Sequence, residues 1–180
     1  MPIVRNKKIE VLFSAKQIAA RNKELAEEIA LGDLSNLLVI SILKGSFVFA
    51  ADLIRALHGA GLAPEVEFIS ISSYGGGTQA GKIRLLRDVD TDVRDRDVLL
   101  IDDILESGNT LKYTRELMLE RGARNVAIAV LLDKTVRRKA DLSADYVGFE
   151  CPDKFVVGYG MDVSHAFREL PFVGVVAGDA

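Results

Sequence analysis

The chain has a single cysteine, Cys151, so no intrachain disulfide can form. That thiol reads as a small packed side chain. No apolar signal stretch opens the sequence, because Met1 to Val11 is polar and charged. No hydrophobic run approaches the ~20 residues that a membrane-spanning helix needs. Repeats and low-complexity tracts are missing. So is a basic excess: 23 Lys and Arg stand against 26 Asp and Glu, a net charge of −3. A nucleic-acid binder needs a basic face to neutralise phosphates, so this balance disfavours that class. It leaves room for a small basic pocket around a phosphorylated metabolite. The expectation is a soluble, cytoplasmic protein with neither a membrane nor a nucleic acid as partner.

What is present fits one domain (residues 1–180) with a sizeable core. Ile9 to Phe13 alternates like a strand, and Ser14 caps a helix whose Ile18, Leu25 and Ile29 share a face. Asn36 to Leu43, Asp97 to Asp102 and Asn125 to Leu132 are apolar runs suited to strands buried on both faces. Phe47 to Leu57 and Thr110 to Arg121 read as helices, Glu65 to Ser73 as a strand, and Lys82 to Arg87 as an antiparallel or edge strand. This alternation predicts an α/β fold, a mostly parallel twisted sheet flanked by helices. From Ala144 onward the short β-like pieces (146–149, 156–159, 172–176) predict a small appendage over one end of the sheet. Ligands of open parallel sheets bind beyond the carboxyl ends of the strands.

The segment richest in chemistry is Val98-Leu99-Leu100-Ile101-Asp102-Asp103-Ile104-Leu105-Glu106-Ser107-Gly108-Asn109-Thr110. A buried strand runs into two acids, then a short loop with a third acid, then a helix. A loop before a helix N-terminus offers unpaired amides at the positive end of the dipole, which suits a phosphate. Gly108 permits close approach, and Ser107 and Thr110 add hydroxyls. An extended chain sends Asp102 and Asp103 to opposite sides. Together they can accept sugar hydroxyls and touch a hydrated Mg²⁺. Taken singly, the acid pair reads as a solvated loop and Ser107–Thr110 as a turn and cap; their fusion favours a ligand. A Walker A loop is excluded because its lysine is missing. A phosphoacceptor domain would carry its acid pair on the first strand.

This segment resembles the phosphoribosyl pyrophosphate (PRPP) motif of the type I phosphoribosyltransferases. The resemblance implies that family's fold, with a hood formed by terminal segments, including 144–180. It places Asp102 and Asp103 at the ribose hydroxyls and Mg²⁺. Glu106, Ser107, Gly108, Asn109 and Thr110 would surround the 5′-phosphate. Leu43-Lys44-Gly45 is similar to the family's pyrophosphate loop, which implies a cis Leu43–Lys44 peptide. Ser73-Tyr74 opens a glycine-rich stretch (72–82) that looks like the family's mobile lid.

The run from Asp145 to Asp162, with Lys134, is similar to the hypoxanthine-guanine branch. The resemblance implies that Lys134 donates to the 6-oxo group, Phe155 stacks on the base, Val156 reads its edge through backbone, and Met161 flanks it. It further implies that Asp162 ligates Mg²⁺ and Arg168 contacts pyrophosphate. Without it, Lys44 is a surface residue and Phe155 and Met161 are core residues. The implied substrates are PRPP and a 6-oxopurine, and the implied assembly is a homodimer or homotetramer. Glu106 would act at N7 of the purine, accepting a proton or stabilising positive charge. There the chain departs from the family, which has Asp; Asp102 likewise replaces the commoner Glu, and the two opposite changes in length are expected to compensate in part. A PRPP-sensing regulator and a transferase for xanthine or a pyrimidine are the rival readings. The retained Lys134, Phe155 and Asp162 argue against the regulator, and Phe155-Val156 against a pyrimidine.

Overall fold

The computed structural model describes residues 1–74 and 82–177. Its elements are β1 (Ile3–Val4), β2 (Lys7–Phe13), α1 (Ala15–Ala30), β3 (Leu37–Leu43), α2 (Phe47–Gly59), β4 (Glu65–Tyr74), β5 (Lys82–Arg87), β6 (Asp97–Leu105), α3 (Asn109–Glu120), β7 (Asn125–Asp133), β8 (Tyr146–Glu150), β9 (Val156–Val157) and β10 (Val173–Val176).

The main sheet has the order β5-β4-β3-β6-β7-β8. All neighbours are parallel except β5, which returns antiparallel to β4. The apolar runs are covered on both faces, as continuous Val/Ile/Leu strands require. Leu37, Val39, Leu99, Ile101, Ala129 and Leu131 pack with Phe49, Leu53 and Leu57 of α2 and with Ile18, Leu25 and Ile29 of α1. The alternate set, including Leu38, Ile40, Leu100, Ile128 and Val130, packs with Leu111 and Met118 of α3. Period-two alternation thus divides one sheet between two cores.

α1 begins where a capping box forces it to. The Gln17 amide donates to Ser14 Oγ (3.3 Å) and the Ser14 amide to Gln17 Oε1 (2.9 Å). Ser14→Ala is expected to cost about 1 kcal/mol of stability. An unchanged urea midpoint would show that this cap contributes nothing.

A second sheet, β1-β2-β10-β9, is antiparallel and joins the N-terminus to the C-terminal segment. It has its own small core of Ile9, Val157, Ala166, Phe167, Leu170 and Val176. Stacking of Phe13 on Phe149, with ring centroids 4.4 Å apart, ties it to the main sheet. This is the expected appendage, with one correction. The first piece of the tail, β8, is the edge strand of the main sheet, paired in parallel with β7. The appendage therefore takes its C-terminal segments from beyond Glu150. Pattern alone could not separate a short edge strand from a strand of a second layer.

Among the described residues, no helix is long and apolar enough to cross a membrane. From β3 the chain crosses through α2 to β4, then returns beyond β5 to pair β6 with the other edge of β3. The carboxyl ends of β3 and β6 thus flank a switch in strand order, the place where such sheets open a crevice.

Candidate active site

A groove of about 240 Å³ occupies that crevice. Ile42 to Lys44 line one side, and Asp102 to Gly108, Thr110 and Leu111 the other. Two larger grooves, about 530 and 460 Å³, lie along α1 and α2; the first sets Asn22, Lys23, Glu27, Asp52 and Arg55 among alanines and a glycine, and the second is mostly apolar. The smaller one holds the lysine, the three acids and the helix tip, so chemistry rather than size selects it.

β6 runs further than the sequence suggested. It pairs through Ile104↔Leu132 and Leu105↔Asp133, and α3 begins at Asn109. Glu106 therefore leaves its strand beside Asp133-Lys134. Lys134 Nζ donates to Glu106 Oε1 across 3.1 Å, with the lysine buried and the carboxylate half-exposed. The Lys134 amide also donates to the Leu105 carbonyl (2.9 Å).

Asp102 and Asp103 both line this groove. Asp102 Oδ1 accepts from the Asp103 amide, and Asp103 Oδ1 from the Ile104 amide, each at 2.9 Å. Burial, then the charge of Asp103, pushes the Asp102 carboxyl well above its usual range. Burial raises Asp103 too, against the pull of the Asp102 side chain, backbone amides and the Arg168 charge. Two crowded carboxyl groups of this kind gain from a cation.

The N-terminus of α3 has no side-chain cap, and Gly108 holds the left-handed conformation before it (φ 81°). Its first-turn amides are the kind of donors that accept a phosphate. The expected reason for Gly108 was ligand approach. The structure adds two others: the positive φ, and Ala140 and Arg138, which a Cβ would meet at 3.1 and 3.3 Å. The Asn109 amide reaches Ser107 Oγ at 3.4 Å, and the Ser107 carbonyl accepts from the amides of Lys139 (3.0 Å) and Ala140 (2.9 Å).

Opposite, the Leu43–Lys44 peptide is cis and Lys44 is exposed. Gly45 lies against Asp103: a Cβ there would sit 1.9 Å from Asp103 Oδ2. Ser46 Oγ donates to the Ile42 carbonyl (2.5 Å), closing the turn. On the appendage, Phe155 is 61% exposed, whereas Val156 and Met161 are buried in the main core. Asp162 Oδ1 pairs with Arg168 (2.8 Å) and its Oδ2 accepts from the His165 amide (2.7 Å). Ser73 and Tyr74 end β4, and 75–81 of the expected lid lie outside the described residues. Cys151 is buried, and burial pushes its thiol up.

Sequence reasoning missed Arg138. It donates to the carbonyls of Leu105 (3.1 Å), Glu106 (2.9 Å) and Leu142 (2.7 Å) and pairs with Asp133. It thereby holds the phosphate-type loop from behind. Its partners are mostly backbone oxygens, which leave no signature in a side-chain pattern.

The phosphoribosyl transferase domain model matches residues 9–164. The chain belongs to this family. Hypoxanthine-guanine phosphoribosyltransferase of Bacillus subtilis is 44% identical over 169 residues, 93% of this chain and 92% of that one. Among solved structures, a hypoxanthine phosphoribosyltransferase of Staphylococcus aureus superposes with a TM-score of 0.87 at 40% identity, covering 93% of this chain and 90% of the other. The Trypanosoma cruzi hypoxanthine phosphoribosyltransferase in complex with the product IMP gives 0.90 at 35% identity, covering 99% and 98%. These are type I phosphoribosyltransferases in architecture, and the α/β sheet with its terminal hood is that fold.

Proposed function

We propose that the chain transfers the 5-phosphoribosyl group of PRPP to N9 of hypoxanthine, and of guanine, releasing pyrophosphate and giving IMP or GMP for purine salvage. The carrying observation is the Glu106–Lys134 pair, which joins the phosphate-type loop after β6 to the lysine after β7. Relatives that bear this activity in their names align over nearly the whole chain.

In this reading the amides and hydroxyls of Ser107 to Thr110 hold the 5′-phosphate. Asp102 and Asp103 orient the ribose hydroxyls. Lys44, Gly45 and Arg168 face the pyrophosphate and stabilise the charge that develops as it departs. Lys134 donates to the 6-oxo group. Phe155, exposed as a stacking ring must be before its ligand arrives, covers the base. Val156 backbone and Met161 border it. Holding the base and the anomeric carbon in line supplies the proximity term. The carbon passes through an oxocarbenium-like state, and Glu106 stabilises positive charge or takes the proton at N7. Ser73, Tyr74 and the rest of 72–82 close over the site and exclude water.

Among the described residues, no three acid, His or Cys side chains cluster tightly enough to cage a metal. That suits Mg²⁺, which keeps its waters and takes one or two carboxylates plus substrate oxygens. Asp102 and Asp103, crowded and raised by burial, fit such a cation, and Asp162 offers a further carboxylate. When bound, Mg²⁺ offsets the pyrophosphate charge. The protein works in the cytoplasm as a homodimer or homotetramer.

The test is a turnover assay with PRPP, Mg²⁺ and each of hypoxanthine, guanine and xanthine, following nucleotide and pyrophosphate. Nucleotide from hypoxanthine is expected, with loss on adding a chelator and recovery on excess Mg²⁺. Stoichiometric PRPP binding without turnover of any base would point to the regulator instead.

A further inference from the structure

A buried polar junction outside the groove joins three elements at one oxygen. Tyr159 is 5% exposed. Its hydroxyl donates to Asp52 Oδ2 on α2 (2.5 Å) and accepts from Asn22 Nδ2 on α1 (2.9 Å). Asp52 also pairs with Arg55. We infer that Tyr159 is a positioning residue, whose phenol, clasped by Asn22 and Asp52, sets the placement of the turn that carries Met161 and Asp162. The inference rests on the base-side and pyrophosphate-side roles proposed above for that turn and its neighbours.

The turn is tightly strung. Tyr159 has φ 50°, and its amide donates to the Leu170 carbonyl (2.8 Å). The Gly160 amide donates to the Arg168 carbonyl (3.0 Å), and Arg168 returns a bond to the Gly160 carbonyl (2.6 Å). Gly160 lies so close to the pyrophosphate loop that a Cβ there would be 2.3 Å from the Gly45 carbonyl oxygen. α2 begins at Phe47, directly after Lys44-Gly45-Ser46, so Asp52 stands on the helix that this loop starts. The phenol therefore ties the Met161–Asp162 turn to the element that carries Lys44 and Gly45.

A polar link here has a cost that phenylalanine would avoid. Burying hydroxyl and amide groups is unfavourable unless each is satisfied. The Asn22 amide oxygen is buried without a partner, so only the nitrogen end of this amide is bonded. Such an arrangement specifies a geometry where an apolar contact would allow several. Burial and the Asp52 hydrogen bond hold the phenol above its usual range, so it remains a donor.

Tyr159→Phe is expected to raise KM for hypoxanthine about tenfold with kcat nearly unchanged, since a small misplacement of a binding element is costly. Asp52→Asn keeps an acceptor and should restore near-normal KM, whereas Asp52→Ala should match Tyr159→Phe, and the double variant should be no worse than either alone. Assays run well below every unfolding midpoint. A second readout needs no substrate: amide exchange at Gly160–Asp162 should quicken in Tyr159→Phe while α1 stays protected. Should Tyr159→Phe not fold, Asp52→Ala carries both measurements. A lowered midpoint with unchanged KM and unchanged exchange overturns the inference. Failure of the unsubstituted protein to turn over any purine overturns the proposed function instead, and the exchange measurement still decides the positioning role.

Discussion

Glu106→Gln should lower turnover of hypoxanthine by about 100-fold, the lower end of what a positioned acid or base contributes. The carboxylate is half-exposed and already paired with the buried Lys134, so its charge serves two partners at once. The neutral amide keeps the shape, loses the charge that stabilises a cationic purine, and weakens its hold on the ammonium. KM for the base should rise as well, because Lys134 then loses its orientation. The stability cost should stay near 1 kcal/mol, below the usual 3–5 for breaking a buried pair, because one partner reaches water. Steady-state kinetics with a denaturation curve separates these effects, and turnover at the unsubstituted level would remove Glu106 from the chemistry. Glu106→Asp tests the opposite-length changes at 102 and 106. The shorter acid should withdraw from Lys134 and leave activity no better; a several-fold gain at equal stability would show that the two changes do not compensate.

Gly45→Ala should be at least as damaging to activity and much milder to the fold. The added carbon would lie 1.9 Å from Asp103 Oδ2 and 2.8 Å from its Cγ, so the carboxylate must swing away. Swinging breaks its bond from the Ile104 amide. What moves is the end of a side chain and no backbone has to shift, so the unfolding midpoint should fall only slightly. Turnover should drop about 100-fold or more, since displacement of a binding group by about 1 Å can cost that much. Most of the loss should show in the PRPP and Mg²⁺ dependence. A variant with ordinary PRPP kinetics would mean that Asp103 has no part in the site.

Much of this was legible without coordinates. The doubly buried strands were readable because both faces of a parallel sheet are covered, which writes unbroken apolar runs into β3, β6 and β7. The start of α1 was readable because its capping box closes within four residues. The phosphate-type loop was readable because acids, glycine and hydroxyls follow one another along the chain. Less was legible at the boundaries. β6 extends to Leu105 because Ile104 and Leu105 find partners on β7, and a pairing partner cannot be seen in the strand itself. The same reason moved β8 from the appendage to the main sheet.

The sequence by itself therefore determined the layers, the order of strand and helix, and the short segments able to hold a phosphate, because each is a local pattern of polarity, capping or turn chemistry. Only the tertiary structure decided which of those segments meet. It set Lys134 on Glu106, Gly45 against Asp103, Arg138 behind the loop and Tyr159 between two helices. These contacts join residues up to 137 positions apart. Several end on backbone oxygens or depend on the space beside a glycine, and a carbonyl or an empty space has no letter in the sequence.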